Sequence, residues 1–287
     1  MKASELVLAP DGTLYHIRLN SSTLANKVLL VGDPSRVEMF KDIFESIEFE
    51  SSNREIHALT GSYHGTRLTA LSTGMGCDNI DIVMTELDAA LRVENGKWNP
   101  HSDRHLQIVR IGTSGSLQPH IDCGSLVASA FALGLDGLMN YYKEWNPPLP
   151  EMEQALLAHL LLPSSLAHPY CVGASPLLLN KIAPGMHLGI TATAPGFYGP
   201  QGRTIRLHPS IPNLNEKLAS FSWPTQPLKI TNLEMETSAI YGFSHLLGHH
   251  ALTVCLIIAN RPRGTFLNDY HTPMRQLVGT VVERLAN

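Results

Sequence analysis

Charged residues are scarce in this chain: only 16% of its 287 residues are Asp, Glu, Lys or Arg, and 25 acidic residues outnumber 21 basic ones. The formal net charge of -4 leaves no basic field to attract nucleic acid or an anionic membrane surface. We therefore expect neither nucleic acid nor a membrane as a partner. An anionic ligand must instead be held by a few locally placed arginines.

Long apolar runs and paired cysteines are also missing. The longest apolar run, Leu252–Ala259, is much shorter than the roughly 20 residues that cross a bilayer. Residues 1–12 have neither the apolar stretch nor the cleavage site typical of a secretory signal. The four cysteines lie far apart and form no CxxC pair, a pattern typical of reduced, mostly buried thiols. These absences predict a cytoplasmic protein.

Short apolar or β-branched runs alternate with helix-like segments, and no repeat or long linker divides the chain. This alternation predicts a single α/β domain over residues 1–287, with a central mixed, twisted β-sheet flanked by helices. The polar segments Glu94–Arg104 and Tyr142–Pro150 are interpreted as surface insertions. The predicted strands are Lys27–Val31, Arg67–Ser72, Leu106–Ile111, Ser125–Phe131, Met186–Thr193, Lys229–Asn232 and Ala251–Ala259. The predicted helices are Asp78–Val93, Pro150–Leu161, Glu234–Leu247 and Thr272–Ala286.

Five segments rich in glycine, arginine or glutamate follow predicted strands directly. In α/β sheets, ligands bind outside the carboxyl ends of the strands. We therefore expect the five segments to converge on one site. Their sequences are GDPSR from residue 32, STGMG from residue 72, GTSGS from residue 112, NLEMET from residue 232 and NRPRG from residue 260.

Two of these segments suit an oxyanion. Gly32, just past a strand, lets backbone N–H groups approach an anion, and Arg36 supplies a fork of donors that matches phosphate. Arg110 ends an apolar run and must be partnered, and the small residues around Thr113 leave hydroxyl and amide donors free. The alternatives stay open: a Gly-Asp-Pro turn that starts a helix, and an arginine that pairs with a structural carboxylate.

The NLEMET segment carries two glutamates with different expected roles. Thr231 and Glu234 have the T-x-x-E spacing of a capping box, so helix capping accounts for Glu234. Capping does not account for Glu236. Its carboxylate can accept two hydrogen bonds from vicinal hydroxyls, such as the 2′,3′-diol of a ribose.

The segment Gly196–Arg203 is a loop by its Gly and Pro residues. Such a loop suits a planar heterocycle, because Phe197 can stack, Gln201 offers a donor and an acceptor, and Arg203 offers donors only. An exposed polar loop without a ligand is the alternative interpretation.

Metal and hydrolase chemistry have little support in the sequence. The 14 histidines form no HExxH motif, and no GxSxG elbow is present. His101 and His105 have i,i+4 spacing but lie in a charged insertion, and His249 with His250 closes a predicted helix. We expect surface or capping histidines there, and no metal site.

Taken together, the segments GDPSRV, STGMG, RIGTSG, FYGPQGR and NLEMETSA resemble the nucleoside phosphorylase family of the trimeric/hexameric type, and most closely its uridine phosphorylase branch. The resemblance runs from about His16 to the C-terminus, with the motifs in family order. It implies an α/β pentosyltransferase of pyrimidine salvage that cleaves uridine reversibly to uracil and ribose 1-phosphate. Phosphate would be a co-substrate, and no cofactor is expected.

The resemblance also implies roles for individual residues. Arg54 and His16 would act across the interface of a homo-oligomer, a dimer or a hexamer, on phosphate and on the ribose 5′-hydroxyl. Asn79 stands where some bacterial members use a serine at an interface potassium site, so no such ion is expected. The implied phosphate-binding residues are Gly32, Arg36, Arg54, Arg110 and Thr113. The implied nucleoside-binding residues are His16, Ser114, Gly115, Phe197, Gln201, Arg203, Glu234, Met235, Glu236 and Arg261, and the expected catalytic residues are Arg110, Glu236, Arg203 and Gln201.

One position bears on the choice of base. Purine-cleaving members of the family carry an aspartate after the last core strand, and Asn260 stands at the corresponding place here. An amide is a poor general acid. Uracil needs none, because its departing anion delocalises onto two carbonyl oxygens, and Arg261 can add to the field around them. The sequence therefore predicts a pyrimidine substrate.

Two alternatives to this function remain open. The first is a purine nucleoside or methylthioadenosine phosphorylase, or a nucleosidase that uses water. Asn260 disfavours purines, and the complete phosphate set disfavours a nucleosidase. The second is a catalytically idle nucleoside-binding protein, which would be expected to have lost Arg110 or Glu236.

Overall fold

The computed structural model describes residues 2, 4–94, 97–99, 102–223 and 225–287. Six α-helices are found in these ranges: α1 Cys77–Arg92, α2 Pro150–Leu160, α3 Pro176–Ile182, α4 Leu214–Ser220, α5 Thr237–Leu247 and α6 His271–Ala286. The strands are β1 Lys27–Val31, β2 Ser46–Asn53, β3 Ile56–Tyr63, β4 Thr66–Ser72, β5 Val93–Glu94, β6 Lys97–Trp98, β7 Gln107–Ser116, β8 Leu126–Gly134, β9 Tyr170–Gly173, β10 His187–Thr193, β11 Ile230–Glu234, β12 His250–Asn260 and β13 Thr265–Phe266. Short 3₁₀ segments cover Pro34–Asp42, Leu138–Tyr141 and Gly199–Gln201. Among the described residues, no helix is long and apolar enough to cross a membrane.

The predicted α/β fold with a central mixed sheet is confirmed. All seven predicted strands and all four predicted helices are present, with shifts of a few residues at their ends. The prediction missed β2 and β3, which form an antiparallel hairpin. It missed β2 because this edge strand is polar and mostly exposed, so it carries no apolar run. The predicted insertion 94–104 lies partly outside the described residues, since residues 95, 96, 100 and 101 are not described.

The sheet has a closed part and an open part. Strands β7, β12, β8, β10 and β11 pair in a closed circuit, whereas β1, β4, β3 and β2 extend from β7 as an open sheet. β7 runs parallel to both β1 and β12, and β1 runs parallel to β4. The carboxyl ends of these four strands therefore lie at the same edge of the sheet.

Apolar side chains on both faces of the sheet form the core. Along β1, Val28 and Leu30 join a cluster with α1 and α5, whereas Leu29 and Val31 join the opposite cluster with α6. This alternation follows from the two-residue period of a strand. Because helices cover both faces, the edge at the carboxyl ends is the part of the sheet left open to a ligand.

Candidate active site

A cavity of about 910 Å³ lies at the carboxyl-terminal edge of the sheet. All five segments expected to converge there contribute to its wall, so that expectation is confirmed. The roles assigned to the individual residues stay predictions. The predicted site residues that line the cavity are Gly32, Arg36, Arg110, Thr113, Ser114, Gly115, Phe197, Gln201, Arg203, Glu234, Met235, Glu236 and Arg261.

Arg110 lies in the middle of β7, and its guanidinium folds back over the strand. A Cβ at Gly112 would lie only 1.8 Å from Nη1 of Arg110, so any other residue there would displace the guanidinium from this position. The guanidinium reaches Glu236, to which Nη2 donates a short hydrogen bond, and Nη1 lies 3.4 Å from Glu234 Oε2. The spacing of the R-x-G-T motif is therefore a packing requirement of the arginine.

Glu234 is tied down by several donors at the end of β11. Its carboxylate accepts hydrogen bonds from the Thr193 hydroxyl at 2.7 Å and from the backbone N–H groups of Glu236 and Thr237 at 3.0 Å. Glu234 thus caps α5, but the predicted capping box is wrong. Thr231 lies inside β11, and its hydroxyl faces Asn232 Oδ1 at 2.9 Å and the Ile190 carbonyl at 3.3 Å instead. With its oxygens occupied, Glu234 positions Arg110 and the Glu236 backbone and has little capacity left for a nucleoside.

The charges of this group are strongly coupled. Burial lowers the pKa of Arg110, but Glu236 and Glu234 outweigh that effect and the net shift is upward, so the guanidinium stays charged. Burial raises the pKa of Glu236 against the opposing effect of Arg110, and the nearby Glu234 carboxylate adds to the rise. Both alternatives considered for Arg110 hold at once: it pairs with carboxylates, and it lines the cavity.

Arg36 and Thr113 complete the end of the cavity expected to hold phosphate. Arg36 follows the turn after β1 and lies over the Tyr270 ring at 5.6 Å. Its Nε is buried and has no hydrogen-bond partner among the described residues. Neighbouring Ser114 is buried and accepts a hydrogen bond from Asn232 Nδ2 at 2.9 Å, which fixes the strand segment beside Thr113. An unpaired donor at this place favours an anion.

Gln201 and Arg203 lie together at the other end, where the base is expected. Arg203 Nη1 donates to Gln201 Oε1 at 2.6 Å and to the Phe197 carbonyl at 2.5 Å, and its guanidinium lies 3.7 Å from the centre of the Phe197 ring. These contacts hold Arg203 over a half-exposed aromatic ring. Gln201 is buried, and its amide nitrogen is free to donate to a ligand.

A second arginine, Arg261, faces the same end. Burial lowers the pKa of Arg203, Arg261 lowers it further by charge repulsion, and the result is about 10. Nη1 of Arg261 is buried and has no hydrogen-bond partner in the part of the chain that the structure describes. Two partly desolvated guanidinium groups that repel each other create a place for negative charge.

Asn260 lies between this end and the sheet, and its side chain is fully engaged. Nδ2 donates to the carbonyls of Gln118 and Ile121, and Oδ1 accepts from the backbone N–H of Arg263. Asn260 therefore shapes the loop that carries Arg261 and has no donor to spare for a base.

His16 and Arg54 lie outside the large cavity. Both line a small cavity of about 50 Å³, together with Asn53, Glu55 and Asn79. Glu55 and Asn79 also line the large cavity, so the two spaces adjoin. Arg54 is exposed at the tip of the β2–β3 hairpin, in a left-handed conformation with φ of 54°.

Several groups that support the site were not predicted from the sequence. Buried Glu86 on α1 and Thr193 on β10 hold His16 and Glu234 through contacts far apart in the chain. No local pattern marks such residues. Glu55 had a signal, because it directly follows Arg54, but its place on the cavity wall was not predicted.

Some histidines and one acidic cluster bear on the prediction that the protein has no metal site. His249 is buried, not exposed, and burial lowers its pKa to about 4. Among the described residues, Glu38, Glu50 and His57 are close enough to share a metal ion, but Lys41 Nζ already lies 3.0 Å from Glu38 and 2.7 Å from Glu50. His101, named with His105, lies outside the described residues.

Comparisons with known proteins point to one family. The model of the Phosphorylase superfamily matches residues 26–284. The chain is 29% identical over 260 residues to the uridine phosphorylase of Thermococcus kodakarensis, covering 89% of this chain and 80% of that protein. It is 27% identical over 243 residues to a DeoD-type purine nucleoside phosphorylase of Alkaliphilus metalliredigens, covering 84% and 85%. The crystal structure of a Trypanosoma brucei nucleoside phosphorylase with uridine phosphorylase activity matches with a TM-score of 0.87 and 29% identity, over 98% and 99% of the chains.

Proposed function

This chain belongs to the phosphorylase superfamily, and we propose that within it the chain is a uridine phosphorylase. It converts uridine and phosphate reversibly into uracil and ribose 1-phosphate. One observation carries the proposal: a single cavity contains arginines that can bind phosphate, a carboxylate that can accept hydrogen bonds from a ribose diol, and two further arginines without a carboxylate partner. The relatives named uridine phosphorylase support it.

The reaction needs positioning and electrostatics more than it needs a reactive side chain. As the N-glycosidic bond breaks, positive charge develops on the ribose and negative charge on the base. Phosphate held by Gly32, Arg36, Arg110 and Thr113 stabilises the ribose cation and then attacks C1′, while Glu236 accepts the ribose hydroxyls. No covalent intermediate forms on the protein, and we propose that no cofactor takes part.

The other end of the cavity favours uracil as the leaving group. Gln201 reads the base edge, and Arg203 with Arg261 stabilises the charge that arrives on the uracil oxygens. A purine leaves more readily with a proton on N7, and the engaged amide of Asn260 cannot provide one. This difference matters because the chain is almost equally similar to uridine and purine nucleoside phosphorylases.

The position of His16 and Arg54 supports a homo-oligomer. In a two-fold dimer the contacts are reciprocal: if one patch of a subunit contacts a second patch on its partner, the partner's first patch contacts the second patch of that subunit. We propose that the small cavity with His16 and Arg54 closes over the large cavity of a neighbouring subunit, in a dimer or a hexamer. The whole chain acts as one domain. Buried free cysteines, such as Cys77 and Cys255, suit the reducing cytoplasm.

The test is a panel of nucleosides incubated with and without phosphate, with products identified by chromatography. We expect uracil from uridine only when phosphate is present, together with ribose 1-phosphate. Uracil with free ribose in phosphate-free buffer would make the chain a nucleosidase. Efficient release of hypoxanthine from inosine would replace the pyrimidine assignment by the purine one. If no product forms from any nucleoside, the chain would be a nucleoside-binding protein without catalytic activity.

A further inference from the structure

We infer that Glu86 is a positioning residue for substrate recognition: it sets the proton and the orientation of His16, so that the His16 Nε2 meets the ribose 5′-hydroxyl as an acceptor. The inference rests on the proposed function, because it concerns how that substrate's sugar is read. It adds a residue on α1 that lines neither of the two cavities described above.

Glu86 is buried within α1 and gathers donors from one short segment. Its Oε2 accepts from the backbone N–H groups of His16 at 3.0 Å and Ile17 at 2.9 Å. Its Oε1 lies 2.5 Å from Nδ1 of the His16 ring. One side chain therefore fixes both the main chain and the imidazole of His16.

A second contact fixes the same segment from the opposite side. Asn53, beside Arg54 at the β2–β3 hairpin, donates from Nδ2 to the carbonyls of Tyr15 and His16 at 2.9 and 3.1 Å. His16 is thus held between α1 and the hairpin that presents Arg54. The two residues proposed to reach a neighbouring subunit form one preassembled unit.

The pattern of donors determines which ring nitrogen carries the proton. The Glu86 carboxyl group already accepts two backbone N–H groups, so it acts as an acceptor toward the ring as well. Nδ1 must then be the protonated nitrogen, and in the neutral ring Nε2 keeps its lone pair. A hydroxyl can donate to that lone pair, and a substrate without the hydroxyl forgoes the bond.

The experiment compares two substrates in two variants. Glu86→Gln keeps the size of the side chain but can accept through one oxygen only, and His16→Ala removes the ring. We measure kcat/KM for uridine and for 5′-deoxyuridine, which lacks the 5′-hydroxyl. In the native protein uridine should be better by about tenfold, the effect of one hydrogen bond. Both variants should lose most of this preference, chiefly through the KM for uridine, and should lose less activity on 5′-deoxyuridine than on uridine.

Controls separate positioning from a general structural role. Glu153→Gln alters another buried glutamate, which accepts the backbone N–H of Cys171 on β9, and should leave the preference unchanged. Glu86→Asp keeps the carboxylate and should restore part of the preference. In the double variant Glu86→Gln/His16→Ala, the preference should fall no further than in His16→Ala alone, because the two residues act through one contact.

Equal losses on both substrates in Glu86→Gln, with the tenfold preference retained, would overturn the inference, even if uridine phosphorolysis itself holds. Failure of the native protein to cleave uridine would instead overturn the proposed function. If Glu86→Gln does not fold, ¹⁵N NMR of the native protein decides the matter. The His16 signal, identified by its loss in His16→Ala, should report a proton on Nδ1 and none on Nε2, and a proton on Nε2 would contradict the inference.

Discussion

The two ends of the large cavity are built on opposite electrostatic plans. At the proposed phosphate and ribose end, the buried charge of Arg110 is balanced by the carboxylates of Glu234 and Glu236. Nε of Arg110 and Nε of Arg36 are buried there without a hydrogen-bond partner among the described residues. At the base end, Arg203 and Arg261 are only partly buried, repel each other, and leave one nitrogen without a partner. The charge of Arg110 is thus balanced in the free protein, whereas in the proposed reaction the two arginines of the base end are balanced by the negative charge that reaches the base.

In the proposed reaction, this difference concentrates the stabilisation of the transition state at the base end of the cavity. Groups that interact more strongly with the transition state than with the substrate lower the barrier. Uracil is neutral in uridine and becomes anionic as the bond breaks, so the repelling arginines gain most at that moment. Arg110 with Glu234 and Glu236 would hold phosphate and ribose in a fixed arrangement in the proposed reaction.

The sharpest test of the base end is discrimination between uridine and cytidine. Cytidine presents an amino group where Arg203 needs an acceptor, and a site built to hydrogen-bond a substrate group can reject an analogue that lacks it by roughly 10⁴-fold. We expect uridine to be preferred by this order in kcat/KM. Arg203→Ala should lower kcat/KM for uridine strongly and narrow the gap to cytidine.

Arg206 provides the matched control for this measurement. It is exposed three residues further along the same loop, and Arg206→Ala should change neither activity nor selectivity. If Arg203→Ala kept the full preference for uridine, other residues would recognise the base, and the base end would not have the role proposed for it.

The phosphate end should respond to Arg110→Ala with a loss of turnover on the order of 10²-fold or more, as for removal of a preorganised donor. The variant also leaves Glu234 and Glu236 buried without their cation, so the melting temperature should fall. Arg110→Lys keeps the charge but not the fork of donors, and should recover only part of the activity. Arg275→Ala, which breaks an exposed ion pair with Asp42, is the control and should be neutral. An Arg110→Ala enzyme with native kcat/KM for phosphate would remove Arg110 from the phosphate site.

The raised pKa of Glu236 predicts an acid limb in the pH profile. In the proposed reaction the Glu236 carboxylate accepts the ribose hydroxyls, and its protonated form has lost that capacity in part. Activity should be intact above the raised pKa and fall as the pH decreases through it, so the midpoint lies above the ordinary value of 4.5. Phosphate titrates equally in native protein and in Glu236→Gln, so the difference between their kcat/KM profiles isolates Glu236. Identical acid limbs in both proteins would refute its ionisation as the cause.

Mixing two inactive variants tests whether Arg54 acts in the site of a neighbouring subunit. In randomly mixed dimers of Arg54→Ala and Arg110→Ala chains, about a quarter of the sites would contain both native residues. We expect activity to recover to about that fraction. Mass spectrometry should verify that hybrids have formed, and verified hybrids without activity would return Arg54 to its own subunit or exclude it from the site.

Sequence reasoning reached the parts of the structure that local patterns encode. Apolar periodicity located the strands β1 and β12, and the glycine and arginine segments at strand ends located the cavity. The polar edge strand β2 escaped because its stability comes from pairing with β3, not from its own composition.

The long-range contacts of the site were not readable from the sequence. The T-x-x-E spacing of Thr231 and Glu234 suggested a local cap, yet the Glu234 partners come from β10, α5 and β7. Glu86 lies 70 residues from His16 in the chain, and only the packing of α1 brings them together. A motif identifies which residues have the right chemistry, and the fold decides which of them touch.

The most direct test of the central claim is to quantify both products from uridine over a phosphate titration. The account predicts that uracil and ribose 1-phosphate appear in equal amounts and that the rate rises from zero to saturation with phosphate. Uracil release that is independent of phosphate, or that is accompanied by free ribose, would contradict it.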